Sequence, residues 1–337
     1  MTTPAPSLGD AQRARLARAK LRALARERFG GRDWAEEDLS GLPALHDGDE
    51  GVVLLEARAW GLGLALVWAD KVGLAGGLHV VVEVDAGVAA RRAALLAPTV
   101  RAWSVRGTTL EEARPAPHAE VLAPPEDALV VAEPLRRRGA DLVVEHGVVL
   151  AEILGLEVGR VVPDEAAPSG WALEVGVGKN DRAASVVMGA LRSAEDAVRN
   201  VVEVVGAHRR PGAAPHLLNR LARPRWLRAS VLGDPGLVGA TSLAPLEPPL
   251  PRQNLIDPVP ALAAGQGPDG APIVVACSVG VDLEAVPIAA DARDRYAPDA
   301  DLVLVTPARD QYPPLRRAAA LLRRPARLVA VEGPWPL

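Results

Sequence analysis

The middle of the chain carries carboxylates and a lysine in an order that suits hydrolysis of phosphodiesters. The carboxylates predicted to hold a divalent metal are Glu145, Glu157, Glu174 and Asp181. Mg²⁺ and Mn²⁺ take oxygen ligands, and carboxylates gathered at a sheet edge can hold such an ion against a phosphate. Glu174, Asp181 and Lys179 are the predicted catalytic residues, with the lysine stabilising the attacking water or the phosphate. The alternative is that the acids are solvated at strand ends and that Asp181 caps a helix.

An arginine-rich run between residues 208 and 228 is the second candidate. Its predicted contacts to nucleic acid are Arg209, Arg210, Arg220, Arg223, Arg225, Trp226 and Arg228. Arginine binds phosphates and tryptophan can stack on an unpaired base, a composition that single-stranded nucleic-acid sites use. The alternative interpretation is an exposed basic surface that its leucines and its tryptophan anchor to the core.

Two glycine turns could hold a nucleotide such as NAD or ATP. Gly61 and Gly63 follow a predicted strand, and Asp85 closes the next strand, where an acid could bind a ribose. Leu66 stands where the third glycine of a dinucleotide-binding turn would fall. Gly178 belongs to a second turn, before the longest predicted helix. The alternative is that these glycines let helices pack closely on a sheet.

These side chains need a scaffold, and the hydrophobic periodicity predicts an α/β fold. We expect mostly parallel or mixed sheets with helices on both faces, in two domains with a basic N-terminal helix. The predicted segments are a basic helix (1–32), a Rossmann-like half domain (33–110), a Pro-rich linker (111–127), an α/β middle region with the arginine-rich run (128–242), a Pro-rich loop (243–272) and a C-terminal α/β segment (273–337).

Three local predictions are specific enough to be tested by a structure. Residues 34–50 are polar and turn-rich, and are expected to form a surface connection. Residues 141–154 are expected to be helical or mixed. Residues 185–205 carry valine, alanine and leucine at helical spacing, and form the strongest predicted helix.

Composition and charge narrow the function classes. The 337-residue chain has one cysteine, Cys277, which excludes an intrachain disulfide and a cysteine-based zinc site and is expected to be a buried, inert thiol. No apolar run is long enough to cross a membrane, so we expect a cytoplasmic protein without a membrane partner. The net charge is −4, yet residues 1–32, 206–228 and 315–327 are strongly basic.

The three basic segments favour DNA or RNA as the partner, because phosphates attract clustered arginine. The first hypothesis is therefore a nucleic-acid-associated protein, with metal-dependent phosphodiester hydrolysis as its possible activity. A nucleotide-binding protein and a non-catalytic interaction protein are the alternatives. Codon bias toward arginine is the competing explanation for the basic segments.

Overall fold

The computed structural model describes residues 8–55, 60–178, 194–210, 212–251 and 259–334. The chain divides into two compact units, each assembled from three chain segments. Unit 1 comprises Met1–Pro117, Leu283–Asp291 and Tyr312–Ala326. Unit 2 comprises His118–Asp282, Ala292–Gln311 and Arg327–Leu337.

The described residues form eight α-helices, three short 3₁₀ helices and fifteen strands. The α-helices are α1 (Leu8–Phe29), α2 (Leu62–Val72), α3 (Ala86–Ala93), α4 (Glu126–Arg136), α5 (Ala194–His208), α6 (Arg223–Gly233), α7 (Ala285–Tyr296) and α8 (Pro313–Ala320). The 3₁₀ helices are Leu217–Arg220, Pro235–Val238 and Ala308–Asp310. The strands are β1 (Ala35–Leu39), β2 (Leu42–His46), β3 (Glu50–Leu55), β4 (Gly77–Val82), β5 (Val100–Arg106), β6 (Thr109–Glu112), β7 (Asp141–Glu145), β8 (Val148–Ile153), β9 (Leu156–Pro163), β10 (Trp171–Val175), β11 (Ser242–Leu246), β12 (Ala261–Gln266), β13 (Pro272–Cys277), β14 (Asp301–Thr306) and β15 (Arg327–Ala330).

Unit 1 is built on a six-stranded sheet whose strands β1 to β6 lie in chain order. Neighbours among β3, β4 and β5 run parallel, and the other neighbouring pairs run antiparallel. Parallel neighbours need a crossover connection, and α2 and α3 supply the two crossovers. This βαβαβ arrangement confirms the predicted α/β class.

Both faces of this sheet are covered. Leu21, Leu24 and Ala25 of α1 share an apolar cluster with alternate residues of β3 and with residues of β4 and β5. Val53 of β3 and Val80 of β4 point to the opposite face of the sheet, and both are buried as well. Because successive strand residues point to opposite faces, a sheet buried at both sets of positions is covered twice.

A buried carboxylate of α7 pairs with two arginines of α3 within unit 1. Asp291 is fully buried and accepts hydrogen bonds from Arg91 at 2.7 and 3.1 Å and from Arg92 at 3.1 Å. Arg91 also donates to the carbonyl oxygens of Ala116 and Pro117 at 2.8 and 3.1 Å. The last part of the first chain segment is therefore fixed by a residue that comes about 175 positions later in the chain.

Unit 2 contains two sheets. Strands β7 to β10 form an antiparallel meander, against which α4 and α5 pack. Strands β11 to β15 form a mixed sheet in chain order, with β13, β14 and β15 parallel. Helix α6 packs against β11, β12 and β13 through an apolar cluster that contains Trp226, Leu227 and Val231.

Three stretches differ from the structure that their sequence predicts. Residues 141–154 form the hairpin β7–β8 rather than a helical segment, because His146 and Gly147 both have positive φ, the geometry of a tight hairpin turn. Residues 34–50 contain β1, β2 and the start of β3, with a similar turn at Ser40 and Gly41. Residues 243–272 contain most of β11 and all of β12.

Other predicted elements agree with the structure. The helix expected over residues 185–205 corresponds to α5, which the structure describes from Ala194 to His208; residues 179–193 lie outside the described residues. Cys277 is fully buried, and burial raises its thiol pKa to about 12, as expected of an inert cysteine. Helix α6 was not predicted, because its sequence is dominated by arginine.

A buried histidine makes unit 1 sensitive to acid. His79 on β4 is 4% exposed, accepts a hydrogen bond from Trp103 Nε1 at 3.0 Å and lies 4.5 Å from the Phe29 ring. Burial lowers the pKa of His79 below 6.5, and this effect outweighs the attraction of Glu50. The unfolded chain therefore takes up a proton on this histidine at a higher pH than the folded chain does.

We expect the free energy of unfolding to fall as the pH drops from about 6.5 toward the lower pKa of His79, and His79→Gln to flatten this decline. Glutamine cannot be protonated and can still accept from the tryptophan. Urea unfolding of both proteins between about pH 7 and pH 5 measures the difference. Parallel stability curves for the two proteins would show that His79 does not control the acid sensitivity.

Candidate functional site

Two predicted sets of residues, the carboxylates and the arginines, meet inside unit 2. Arg228 Nη2 donates to Glu152 Oε2 of β8 at 2.7 Å. Arg225 pairs both with Glu145, the last residue of β7, and with Glu152. All four side chains are at most 7% exposed. We call Glu145, Glu152, Arg225 and Arg228 the ionic core.

The local sequence explains why α6 carries this charge inward. Arg225 and Arg228 are three residues apart and therefore share one side of the helix. Trp226 and Leu227 enter the apolar cluster beside β12 and β13. Pro224 stands in the first turn, where a missing N–H costs little. One helix thus presents an apolar side and a charged side to its surroundings.

The ionic core balances two positive charges with two negative charges in a desolvated place. Burial lowers the pKa of Arg228, while nearby carboxylates act in the opposite direction. A buried ion pair gains little over an apolar pair, but the loss of one partner leaves a buried charge uncompensated. The four residues therefore act as a structural connection, and the two arginines are closed to an outside ligand.

Arg209 is a second buried arginine, and it fixes the segment that precedes α6. Its guanidinium donates to the carbonyl oxygens of Leu218 and Leu221 at 3.0 and 2.9 Å, and to that of Leu154 at 2.9 Å. It also lies over the ring of Trp226, 4.3 Å from the ring centroid. Burial lowers the pKa of Arg209 to about 9, which still leaves it charged at neutral pH.

Two more of the predicted carboxylates, Glu157 and Glu174, lie beside Arg160. This arginine donates to Glu157 at 2.7 Å, and on the neighbouring strand it is the register partner of Glu174. Glu157, Glu174 and Glu145 all contribute to raising the pKa of Arg160. The positive charge of Arg160 therefore balances part of the negative charge of these acids.

Within the part of the chain that the structure describes, no group of three or more His, Cys, Asp or Glu side chains could hold a metal ion. Lys179 and Asp181 lie outside the described residues. The site that Glu145, Glu157, Glu174 and Asp181 were predicted to form around Mg²⁺ or Mn²⁺ therefore stays a prediction, as do the catalytic roles of Glu174, Lys179 and Asp181.

The arginines of the run that reach solvent are Arg210, Arg220 and, in part, Arg223. Arg223 is affected by the charge of Arg220 and by that of Arg309, which the sequence did not single out. Burial lowers the pKa of Arg223, and the positive charges of Arg309 and Arg220 lower it further, while Asp310 opposes them. We call Arg220, Arg223 and Arg309 the basic cluster.

Arg309 of the basic cluster lies at the carboxyl end of a parallel strand. Arg309 belongs to the 3₁₀ turn Ala308–Asp310, directly after β14. Asp310 Oδ2 accepts a hydrogen bond from the N–H of Gly280, in the loop after β13, at 2.8 Å. In open α/β sheets, ligands bind outside the carboxyl ends of the strands, so Arg309 could have been found from its place after a predicted strand.

The same edge of the sheet holds two buried hydroxyl groups. Ser278, just after β13, donates to Asp282 Oδ2 at 3.2 Å. Thr306 ends β14, is 2% exposed, and its Oγ1 has no hydrogen-bond partner among the described residues. Buried polar groups without a hydrogen-bond partner are exceptions in proteins, and a bound ligand or an ordered water is one explanation for such a group.

The glycine turn at α2 is filled by protein. The N–H of Gly63 donates to Glu284 Oε1 at 2.8 Å, so a carboxylate of the same unit sits at the start of α2, where a nucleotide phosphate would bind. A Cβ on Gly63 would lie 2.2 Å from the carbonyl oxygen of Leu283. Asp85 has a positive φ at the start of α3 and makes no side-chain capping bond there. This arrangement favours the packing role of Gly61 and Gly63.

We expect Glu152→Gln and Arg228→Met each to reduce the free energy of unfolding by about 3–5 kcal/mol, because each leaves a buried charge without its partner. The double variant should lose less than the sum, by roughly 0.5–3 kcal/mol, because both residues belong to one network. Urea unfolding followed by Trp fluorescence gives these values. Arg199→Ala, which removes an exposed partner of Asp196, is the control and should change stability by about 0.5 kcal/mol or less. If the losses of free energy of unfolding in the two single variants add up to the loss in the double variant, Glu152 and Arg228 do not interact.

We also expect Gly63→Ala to destabilise unit 1 by about 1–3 kcal/mol, because its new methyl group would meet backbone atoms that cannot move aside cheaply. Thermal unfolding compared with Gly31→Ala tests this, since the methyl group at Gly31 would enter open space. An unchanged melting temperature for Gly63→Ala would show that the 283–284 segment is not held against α2.

Comparison with known proteins gives no function for this chain, so a function can be proposed only from its geometry. No helix of the described residues is both long enough and apolar enough to cross a membrane. No protein-family model matches this chain, and no curated protein or solved structure matches it either.

Proposed function

We propose that unit 2 binds nucleic acid through the basic cluster of Arg220, Arg223 and Arg309. The observation that carries this proposal is that the positive charges of Arg220 and Arg309 both act on Arg223, with Arg309 placed directly after β14. The acid beside them, Asp310, accepts a hydrogen bond from the N–H of Gly280 and has its Oδ1 3.9 Å from Nε of Arg309, so it balances one of the three positive charges. The remaining charge of the cluster is positive.

Like charges held together cost free energy, and an anion that binds between them removes this cost. Arginine suits a phosphodiester especially well, because its planar fork can make two parallel hydrogen bonds to phosphate oxygens. Arg309 has half of its side chain exposed, and Arg220 is exposed, so both can reach a ligand.

The geometry supports binding better than it supports hydrolysis. In the described residues, the acids proposed for a metal are engaged with arginines: Glu145 with Arg225, and Glu157 with Arg160. Arg309, by contrast, lies at an edge where open α/β sheets bind their ligands. Phosphate contact rather than metal chemistry is therefore the function that we assign to this site.

We expect the wild-type chain to bind a fluorescein-labelled oligonucleotide with an affinity that falls steeply as the salt concentration rises. Arg220→Ala and Arg309→Ala should each weaken binding about three- to tenfold and reduce the slope of log K against log salt by about 1, because each removes one phosphate contact. Fluorescence anisotropy across a salt titration measures both quantities.

Arg106→Ala is the matched control, since it removes one exposed arginine from unit 1 and changes the net charge equally. It should leave the affinity and the salt slope close to the wild-type values. If all three variants lost the same affinity, net charge alone would explain the effect. If the wild type did not bind the oligonucleotide at low salt, the proposal would be wrong.

A further inference from the structure

A pair of stacked histidines stands in the segment that leads to the basic cluster. The rings of His208 and His216 are parallel within 9°, with their centroids 3.7 Å apart. His208 ends α5, and His216 precedes the 3₁₀ turn Leu217–Arg220. Two aromatic rings that pack face to face form a flat surface whose outer side resembles the end of a base stack.

The orientation of His216 is fixed from a second direction. Its Nδ1 accepts a hydrogen bond from the N–H of Leu218 at 3.3 Å, as a capping side chain does at the start of a helix. This bond places the proton of the neutral ring on Nε2. A ring held by a stack and by a cap needs little ordering when a ligand binds.

His216 is exposed although it is stacked on one side. His208 covers one face of the ring, and the residue as a whole is still exposed to solvent. The neighbouring side chain of Leu217 is 71% exposed. An exposed aromatic ring and an exposed apolar side chain thus precede Arg220 by a few residues.

We propose that His216 is a stacking platform for an unpaired base, so that the ligand of the basic cluster is a single strand. This inference rests on the proposed function. At a rise of about 2 Å per residue, His216 and Arg220 are roughly 8 Å apart along the turn, which is about two nucleotide steps of a stacked strand. One strand can therefore place a base on His216 and a phosphate at Arg220, whereas the bases of a duplex are stacked on one another and closed to the ring.

Two substitutions separate stacking from capping. His216→Asn removes the ring and keeps a side-chain oxygen that caps a helix well. His216→Phe keeps a ring and removes the capping nitrogen. The probes are a single-stranded oligonucleotide with 2-aminopurine at one position, and the same strand annealed to its complement.

We expect the wild type to bind the single strand at least tenfold more tightly than the duplex and to quench 2-aminopurine, whose fluorescence falls on stacking. His216→Asn should lose about tenfold in affinity for the single strand, lose the quenching, and keep the wild-type salt slope, because the ring makes no phosphate contact. His216→Phe should retain the quenching and most of the affinity.

Equal affinity for single strand and duplex, or wild-type quenching by His216→Asn, would overturn the stacking role. If Arg220→Ala still weakened binding in that case, the basic cluster would keep its proposed function. Loss of the quenching in both His216 variants would show that an aromatic ring at this position is not sufficient for stacking and would also overturn the inference. The absence of binding to either probe would end both proposals.

Discussion

Unit 2 depends on the ion pairs that Arg225 and Arg228 of α6 make with Glu145 and Glu152 of the antiparallel sheet. The opposite side of α6 packs on the mixed sheet through Trp226, so one helix joins the two sheets. Apolar contacts tolerate rotation of a helix about its axis, whereas paired guanidinium and carboxylate groups tolerate little. Gly155, in the turn between β8 and β9, allows the same close approach, since a Cβ there would lie 2.3 Å from the backbone of Arg225.

The arginine-rich run therefore contains two kinds of arginine, which are buried structural residues and solvent-exposed residues. Arg209, Arg225 and Arg228 hold backbone carbonyls or carboxylates in the interior, and Arg220 stays exposed. Composition cannot separate these roles, because arginine is normally exposed and is buried only where partners are placed for it by distant parts of the chain. The partners Glu145 and Leu154 come 55 to 80 residues earlier. The interior arginines fix the helix and the turn that carry the solvent-facing ones.

Hydrophobic periodicity predicted the α/β class correctly, because apolar runs such as those of β3, β4 and β14 leave little choice of structure. It failed where short strands meet at tight turns. Ser40–Gly41 and His146–Gly147 have positive φ at both positions, yet lack the asparagine or aspartate that usually announces such a turn. For the site, the sequence pointed to Arg220 and Arg223 but not to Arg309 or to the His208–His216 stack. Those depend on residues that come together only after the chain has folded, which no local pattern encodes.

Unit 1 has a consequence for the order in which the chain folds during synthesis. Its first segment ends at Pro117, but the carboxylate that pairs with Arg91 and Arg92 is Asp291, and the one that meets the start of α2 is Glu284. A nascent chain that has emerged only to residue 117 must bury two cations without a counterion, or leave α3 undocked. The amino-terminal unit thus gains these ion-pair and hydrogen-bond partners only when most of the polypeptide has left the ribosome, although its sheet is synthesised first.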